Sequence, residues 1–119
     1  MANSNRIIKF RAWIWRGSMY EMIKFDLESV PKWISTKDDV VMQFTGLKDK
    51  NGKEIYEGDI LSVVVIGKFV EWIVQVTWSD LDNGWMVIHD ESSNGRLHKL
   101  NFDLIEVIGN IYKNVDLLR

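Results

Sequence analysis

His89 and His98 are the two histidines of this 119-residue chain, and Glu91 lies between them. Imidazole nitrogens and carboxylate oxygens bind zinc, and three such ligands with an open fourth position make a catalytic centre. The spacing permits this if Asn94-Gly95 forms a two-residue hairpin turn, for which that dipeptide is a strong signal. His98 then faces Glu91, His89 faces Leu100, and the two imidazoles become diagonal neighbours on one sheet face. The plainer alternative is a solvated hairpin face with two ordinary histidines. It is preferred, because a metal-bound histidine needs an outer hydrogen-bond partner and the sequence names none. No cofactor is expected, and no catalytic residue.

A second set of residues suggests different chemistry. Lys9, Arg11, Trp13 and Trp15 alternate along one extended stretch, with Arg6, Arg16 and Lys24 adding positive charge nearby. Cations can hold phosphates and indole rings can stack bases, so such a strand face could bind single-stranded nucleic acid. The competing reading is packing: the tryptophans lie under a neighbouring segment or a partner subunit, with Arg11 stacked on them. Net charge is −2 at neutral pH. That provides no general attraction for a polyanion, so nucleic acid is possible here but not favoured.

The acidic residues offer less. "DLDNGWMVIHDE" begins like a calcium loop, but an EF-hand needs glycine at the sixth position and helices on both sides. Here glycine is fifth and strand-like sequence flanks it. Asp38-Asp39 and the pair Asp80 and Asp82 lack any sign of the shaped cleft that separates two carboxyl pKa values for catalysis. No serine sits between glycines at the spacing of a nucleophile elbow.

Composition bounds the rest. The apolar fraction is 46%, which argues for a folded core and against disorder. A chain of this length reads as one domain spanning residues 1–119. There is no cysteine, hence no disulfide framework, no thiolate zinc site and no cysteine nucleophile. The polar stretch Met1 to Arg6 lacks a signal core, and no apolar run approaches a bilayer span. These features predict a reducing, cytoplasmic setting without membrane contact. Six tryptophans in so short a chain are the main compositional bias; aromatic enrichment suits half-buried pleated surfaces.

The elements that would position these residues are strands. Apolar residues alternate with a period of two through most of the chain. In "IIKFRAWIWRGSMYEMIKFDL", Gly17-Ser18 suits a two-residue turn with glycine at the position of positive φ. It places Trp15 opposite Tyr20, Trp13 opposite Met22 and Lys9 opposite Asp26. Ile8, Phe10, Ala12 and Ile14 then share an apolar face with Ile23, Phe25 and Leu27, which is assigned to the core. The basic-aromatic residues fall on the opposite face. In "DILSVVVIGKFVEWIVQVTW", Gly67-Lys68 suits the same turn and gathers Leu61, Val63 and Val65 with Val70, Trp72, Val74, Val76 and Trp78. Asn83-Gly84 and Asn94-Gly95 are expected to bound further hairpins, with strands over 85–90 and 96–100 and a last strand over 105–112. Residues 28–39, with the single proline Pro31, read as irregular chain. The fold class predicted is all-β: a small barrel-like domain of antiparallel hairpins.

Between these hairpins lies "TGLKDKNGKEIYEGDIL", from Thr45 to Leu61. A phosphate cradle needs glycines leading into a helix N-terminus. Here the glycines lead into a strand, so the stretch reads as a shaped loop in which Asp49, Asn51-Gly52 and Gly58-Asp59 form corners. "MQFTGLKDKNGKEIYEGDIL", with "IKFRAW" before it and "VIGNIY" after it, resembles the YopX family of small proteins from bacteriophages and prophages. The three blocks span Ile8 to Tyr112. The resemblance implies a mostly-β protein, a closed barrel with complicated strand order, and a bacterial host cell. It carries no assigned activity, so no catalytic residue transfers. It implies a structural signature of Thr45, Gly46, Asp49, Gly52, Tyr56, Gly58, Asp59, Gly109 and Asn110. Ile14 and Val115 depart from the family pattern, at positions where an acidic turn residue and a proline are expected.

These readings converge on a non-catalytic module that binds a host or phage protein, or that associates with itself into a homo-oligomer. The aromatic supply exceeds the obvious needs of one small core, and exposed apolar surface marks interaction sites. Single-stranded nucleic-acid binding and a metal-dependent enzyme are the alternatives.

Overall fold

The structure, a computed structural model, describes residues 7–34, 39–65, 67, 70–90 and 93–118. Its strands are β1 Lys9–Trp15, β2 Tyr20–Asp26, β3 Val40–Lys48, β4 Glu54–Tyr56, β5 Asp59–Val65, β6 Val70–Ser79, β7 Gly84–Ile88, β8 Asn94–Arg96 and β9 Ile105–Asn110. Short 3-10 turns occur at Leu97–Lys99, Phe102–Leu104 and Val115–Leu118, and there is no α-helix among the described residues. None of these elements is a helix long and apolar enough to cross a membrane. The fold is all-β, as the period-two pattern predicts. The described part of 28–39 is irregular.

The strands form two antiparallel sheets, in the orders β2-β1-β3-β4 and β8-β7-β6-β5-β9, and one of them curls into half a barrel. The ladders are therefore two open sheets, where the family resemblance implied one closed ring. The chain passes between the sheets at the corner from Tyr56 to Asp59, where β4 ends and β5 begins.

The first hairpin has the expected register: Trp15 pairs with Tyr20, Trp13 with Met22 and Lys9 with Asp26. The Arg16 N–H donates to the Met19 carbonyl at 2.8 Å, and Gly17 takes φ +92°. Only a residue without Cβ adopts that angle cheaply, so the turn fixes which side chains share a face. Burial on that face differs from the expectation. Ala12 and Ile14 are fully buried, but Ile8 and Leu27 at the open end of the hairpin are exposed. A central position on the sheet, rather than the alternation itself, decides which apolar residues are covered.

The ladder of β5 and β6 pairs Leu61 with Val74, Val63 with Trp72 and Val65 with Val70. This is the register that a Gly67-Lys68 turn demands, although Lys68 itself lies outside the described residues. The main core collects Leu61, Val74, Val76, Val87, Ile105 and Val107 from the second sheet, Ile55 from β4 and Leu97. Each buried aliphatic side chain of this kind stabilises the fold by about 1.5–3 kcal/mol. Val70, Trp72 and Trp78 belong to the same strand but lie exposed toward its ends.

Two expected turns fall elsewhere. The loop between β6 and β7 is Asp80 to Asn83, with Asn83 at φ +49° and Gly84 already paired with Ser79. Asn94-Gly95 does not form a turn at all: Asn94 pairs with Ile88 and Gly95 with Val87 inside the β7–β8 ladder. The corner comes earlier, where the Ser93 carbonyl accepts the His89 N–H and the Asp90 carboxylate accepts the Ser93 N–H, each at 2.8 Å. An Asx side chain that closes its own turn outcompetes the Asn-Gly signal. As a result the expected strand over 96–100 is a single ladder residue followed by a 3-10 turn.

Candidate functional site

The stretch from Thr45 to Leu61 is not one loop. It is the end of β3, a tight turn, β4, a corner and the start of β5. Phe44 pairs with Tyr56 and Lys48 with Glu54, so β3 carries two more residues than β4 between those pairs. Gly46, at φ +87°, absorbs that irregularity. The Thr45 hydroxyl donates to the Ile55 carbonyl at 2.7 Å and accepts the Leu47 N–H, which holds the two strands across the bulge.

Asp49 organises the turn and reaches beyond it. Its Oδ1 accepts the N–H groups of Asn51 and Lys53, and its Oδ2 accepts the Val107 N–H of β9, all at 2.9 Å. Burial pushes the carboxyl up, but the three backbone donors at Val107, Lys53 and Asn51 outweigh it, and the net pKa lies below the ordinary carboxylate value. Gly52 closes the turn at φ +80°. Both oxygens of Asp49 are thus spent on the backbone, which leaves a corner and not a reagent.

The second corner centres on Asp59. Its Oδ2 accepts the Tyr56 N–H at 2.7 Å, and its Oδ1 accepts a hydrogen bond from the Arg11 guanidinium at 2.8 Å. Arg11 also donates to the Glu57 carbonyl at 3.1 Å, and its guanidinium lies 4.9 Å from the centre of the Tyr56 ring. The Lys24 ammonium lies 5.4 Å from the same ring. Arg11 is only 6% exposed, and its Nε has no hydrogen-bond partner among the described residues. Burial pushes Asp59 up from the ordinary carboxylate value, against the pull of Arg11. The Tyr56 phenol is pushed up to about 12, first by burial and then by the charge of Glu54, to which it donates a hydrogen bond.

The four basic and aromatic residues of β1 differ in how far they are covered. On the face of β1 opposite Ala12 and Ile14, side chains of β4 and of the 56–59 corner meet Lys9 and Arg11. Arg11 is enclosed and Lys9 pairs with Glu54. Trp13 is half-buried, stacked between Tyr20 at 5.3 Å and Tyr112 at 6.0 Å. Trp15 alone of the four is open, at 54% exposure. It continues into a surface formed by Tyr20, Met19 and Trp33, which are 52%, 64% and 53% exposed. Arg16 lies over the Trp33 ring at 5.1 Å and pairs with Glu21 at 2.8 Å. Sequence reasoning missed Met19, Tyr20 and Trp33 as parts of one patch. Tyr20 was legible from the hairpin register; Trp33 was not, because the irregular segment has no period.

The histidines separate. His89 stacks on Trp72 at 5.1 Å, and its Nδ1 lies 3.1 Å from the Ile73 carbonyl. His98 sits in the 3-10 turn after β8. The register that would bring His98 opposite Glu91 does not form, and Glu91 lies outside the described residues. No group of three or more histidine, aspartate or glutamate side chains is placed for a metal ion among the described residues. Gly58 and Gly109 are packing positions. A Cβ at Gly58 would meet the Met42 sulfur at 3.2 Å, and one at Gly109 would overlap the Asn114 side chain at 2.6 Å. Asn110 Oδ1 accepts the N–H groups of Tyr112 and Lys113, so it turns the chain after β9. The two departures from the family pattern differ: Ile14 is buried and Val115 is exposed.

Two open antiparallel sheets, pinned at their junction by an arginine and by two aspartates that bind backbone, define a small all-β protein built around its corners. The YopX protein family model matches residues 16–119, and the chain belongs to that family. The chain is similar in structure to the crystal structure of protein EF1440 from Enterococcus faecalis. That match has 25% sequence identity and a TM-score of 0.57, and covers 95% of this chain and 99% of the other. Among curated proteins, none matches.

Proposed function

We propose that this chain is a non-catalytic, phage- or prophage-encoded binding module that works inside the bacterial host. Its contact surface is the aromatic tip of the β1–β2 hairpin, and its first partner is a second copy of itself. The observation that carries this reading is the cluster of Trp15, Met19, Tyr20 and Trp33, each more than half exposed. Large aromatic side chains grouped in this way are the usual anchors of protein interfaces. The patch also carries Arg16 and Glu21, a cation and an anion side by side. A two-fold axis through such a patch sets each charge against its opposite, so a second copy is complementary without further design.

Single-stranded nucleic acid draws less support from the same residues. Two of the four groups proposed for it, Lys9 and Arg11, are paired with carboxylates and would have to leave them to meet phosphate.

Light scattering and sedimentation over a range of concentrations test the reading. A dimer or higher oligomer is expected, and the paired exposed substitutions Trp15→Ala and Tyr20→Ala should return it to monomer with the fold intact. A monomer at every concentration rejects self-association, and so does an oligomer indifferent to those substitutions. Retention on single-stranded oligonucleotides that falls steeply with salt would favour the nucleic-acid reading instead.

A further inference from the structure

A cleft of about 400 Å3 lies between the end of β3 and the β6–β7 hairpin. This volume falls in the range of small-molecule sites, roughly 300–1,000 Å3. The Trp78 and Trp85 rings, 5.1 Å apart and near perpendicular at 76°, form one wall. Trp78 is oriented by its indole N–H, which donates to Asp80 at 2.7 Å. Leu47 contributes apolar wall from β3. Arg96 and His98 complete the lining from the strand and turn that follow β7. Neither side chain makes a hydrogen bond, ion pair or ring contact with any described residue. The cleft thus joins an aromatic wall to a guanidinium and an imidazole that have no partner among the described residues.

We propose that this cleft binds a planar heteroaromatic ring joined through a short polar spacer to one anionic group, the chemistry of a nucleoside monophosphate. The ring lies against the indoles, where stacking tolerates any base. Arg96 donates to the anion in the two-pronged geometry that suits phosphate or carboxylate oxygens, and His98 adds a second donor. Asp82 also lines the cleft, and its carboxylate accepts the Ser79 hydroxyl at 2.9 Å. That negative charge opposes longer polyphosphates and runs of nucleic-acid backbone, so a single anionic group fits best. The site shares no residue with the hairpin surface above and stands independently of it.

Calorimetry with adenosine monophosphate tests the proposal, and the indole N–H signals in NMR spectra report where it binds. Saturable binding is expected, with shifts at Trp78 and Trp85. Adenosine alone and inorganic phosphate alone should each bind at least about tenfold more weakly, since each offers only one half of the recognition, as should the nucleotide to the exposed variant Arg96→Gln, which loses the two-pronged charge-assisted contact. Trp78→Leu should weaken adenosine as well, because it removes the stacking wall and leaves the cation. The absence of saturable binding at millimolar nucleotide overturns the proposal. So does Arg96→Gln binding as tightly as the parent chain, or a single-stranded oligonucleotide binding more tightly than the mononucleotide.

Discussion

Arg11 of β1 and Asp59 of β5 meet across the junction of the two sheets, with a nitrogen-oxygen distance of 2.8 Å and almost no exposure of either side chain. They are far apart in sequence, and their strands belong to different sheets. The same guanidinium holds the Glu57 carbonyl, and the same carboxylate holds the Tyr56 N–H. The pair therefore fixes the corner at which the chain leaves one sheet for the other.

Removing one partner should be costly. Arg11→Met strands a buried carboxylate and is expected to lower unfolding stability by about 3–5 kcal/mol. Asp59→Leu strands the arginine and the Tyr56 N–H and should cost a similar amount. The double variant should lose clearly less than the sum, because neither charge is then left alone. Urea denaturation of the three variants measures this. Strict additivity would mean that the two residues act separately.

Asp49 makes the fold acid-sensitive. Its carboxyl lies below the ordinary value of 3.8 in the folded chain. Between the folded and unfolded values the unfolded chain binds more protons, so stability rises with pH there. The contribution is complete above the ordinary value and is lost as pH falls through the folded one. Asp49→Asn should flatten that acid limb in thermal melts from neutral pH downward. Asp49→Ala also leaves the buried Val107 N–H without an acceptor, and about 2–4 kcal/mol of stability should go. An acid limb unchanged by Asp49→Asn would assign the sensitivity to other carboxylates.

Tyr56 acts at the opposite end of the scale. Its phenol is pushed from 10.0 to about 12 by burial and by Glu54. Between those values the unfolded chain has lost a proton that the folded chain keeps, so stability falls as pH rises. Below that window the tyrosine contributes no pH dependence. Tyr56→Phe should flatten the stability curve across it and remove one late-titrating phenol from a spectrophotometric titration. Burial raises Tyr112 too, so one late phenol should remain. If Tyr56→Phe leaves the alkaline slope intact, the slope does not come from Tyr56, and Tyr112 is the next phenol to substitute.

The hairpin ladders were legible because turn chemistry and alternation are local. Gly17-Ser18 and a strict period of two are enough to pair Trp13 with Met22, and the Gly67 hairpin pairs Leu61 with Val74 in the same way. Local rules failed where two local signals competed. Asn94-Gly95 was the expected turn, but the Asp90 carboxylate closes an earlier one on the Ser93 N–H, and Asn94 and Gly95 pair with Ile88 and Val87. That choice separated the two histidines.

The sequence by itself determined the class of the fold, the family and the register of two hairpins, because those depend on side-chain size, backbone freedom and spacing along the chain. Only the tertiary structure decided that Arg11 is enclosed, that Lys9 is paired, and that Trp78, Trp85, Arg96 and His98 line one cleft. The physical reason is that a strand has two faces. Alternation says which residues share a face, but what lies against that face depends on contacts from distant parts of the chain.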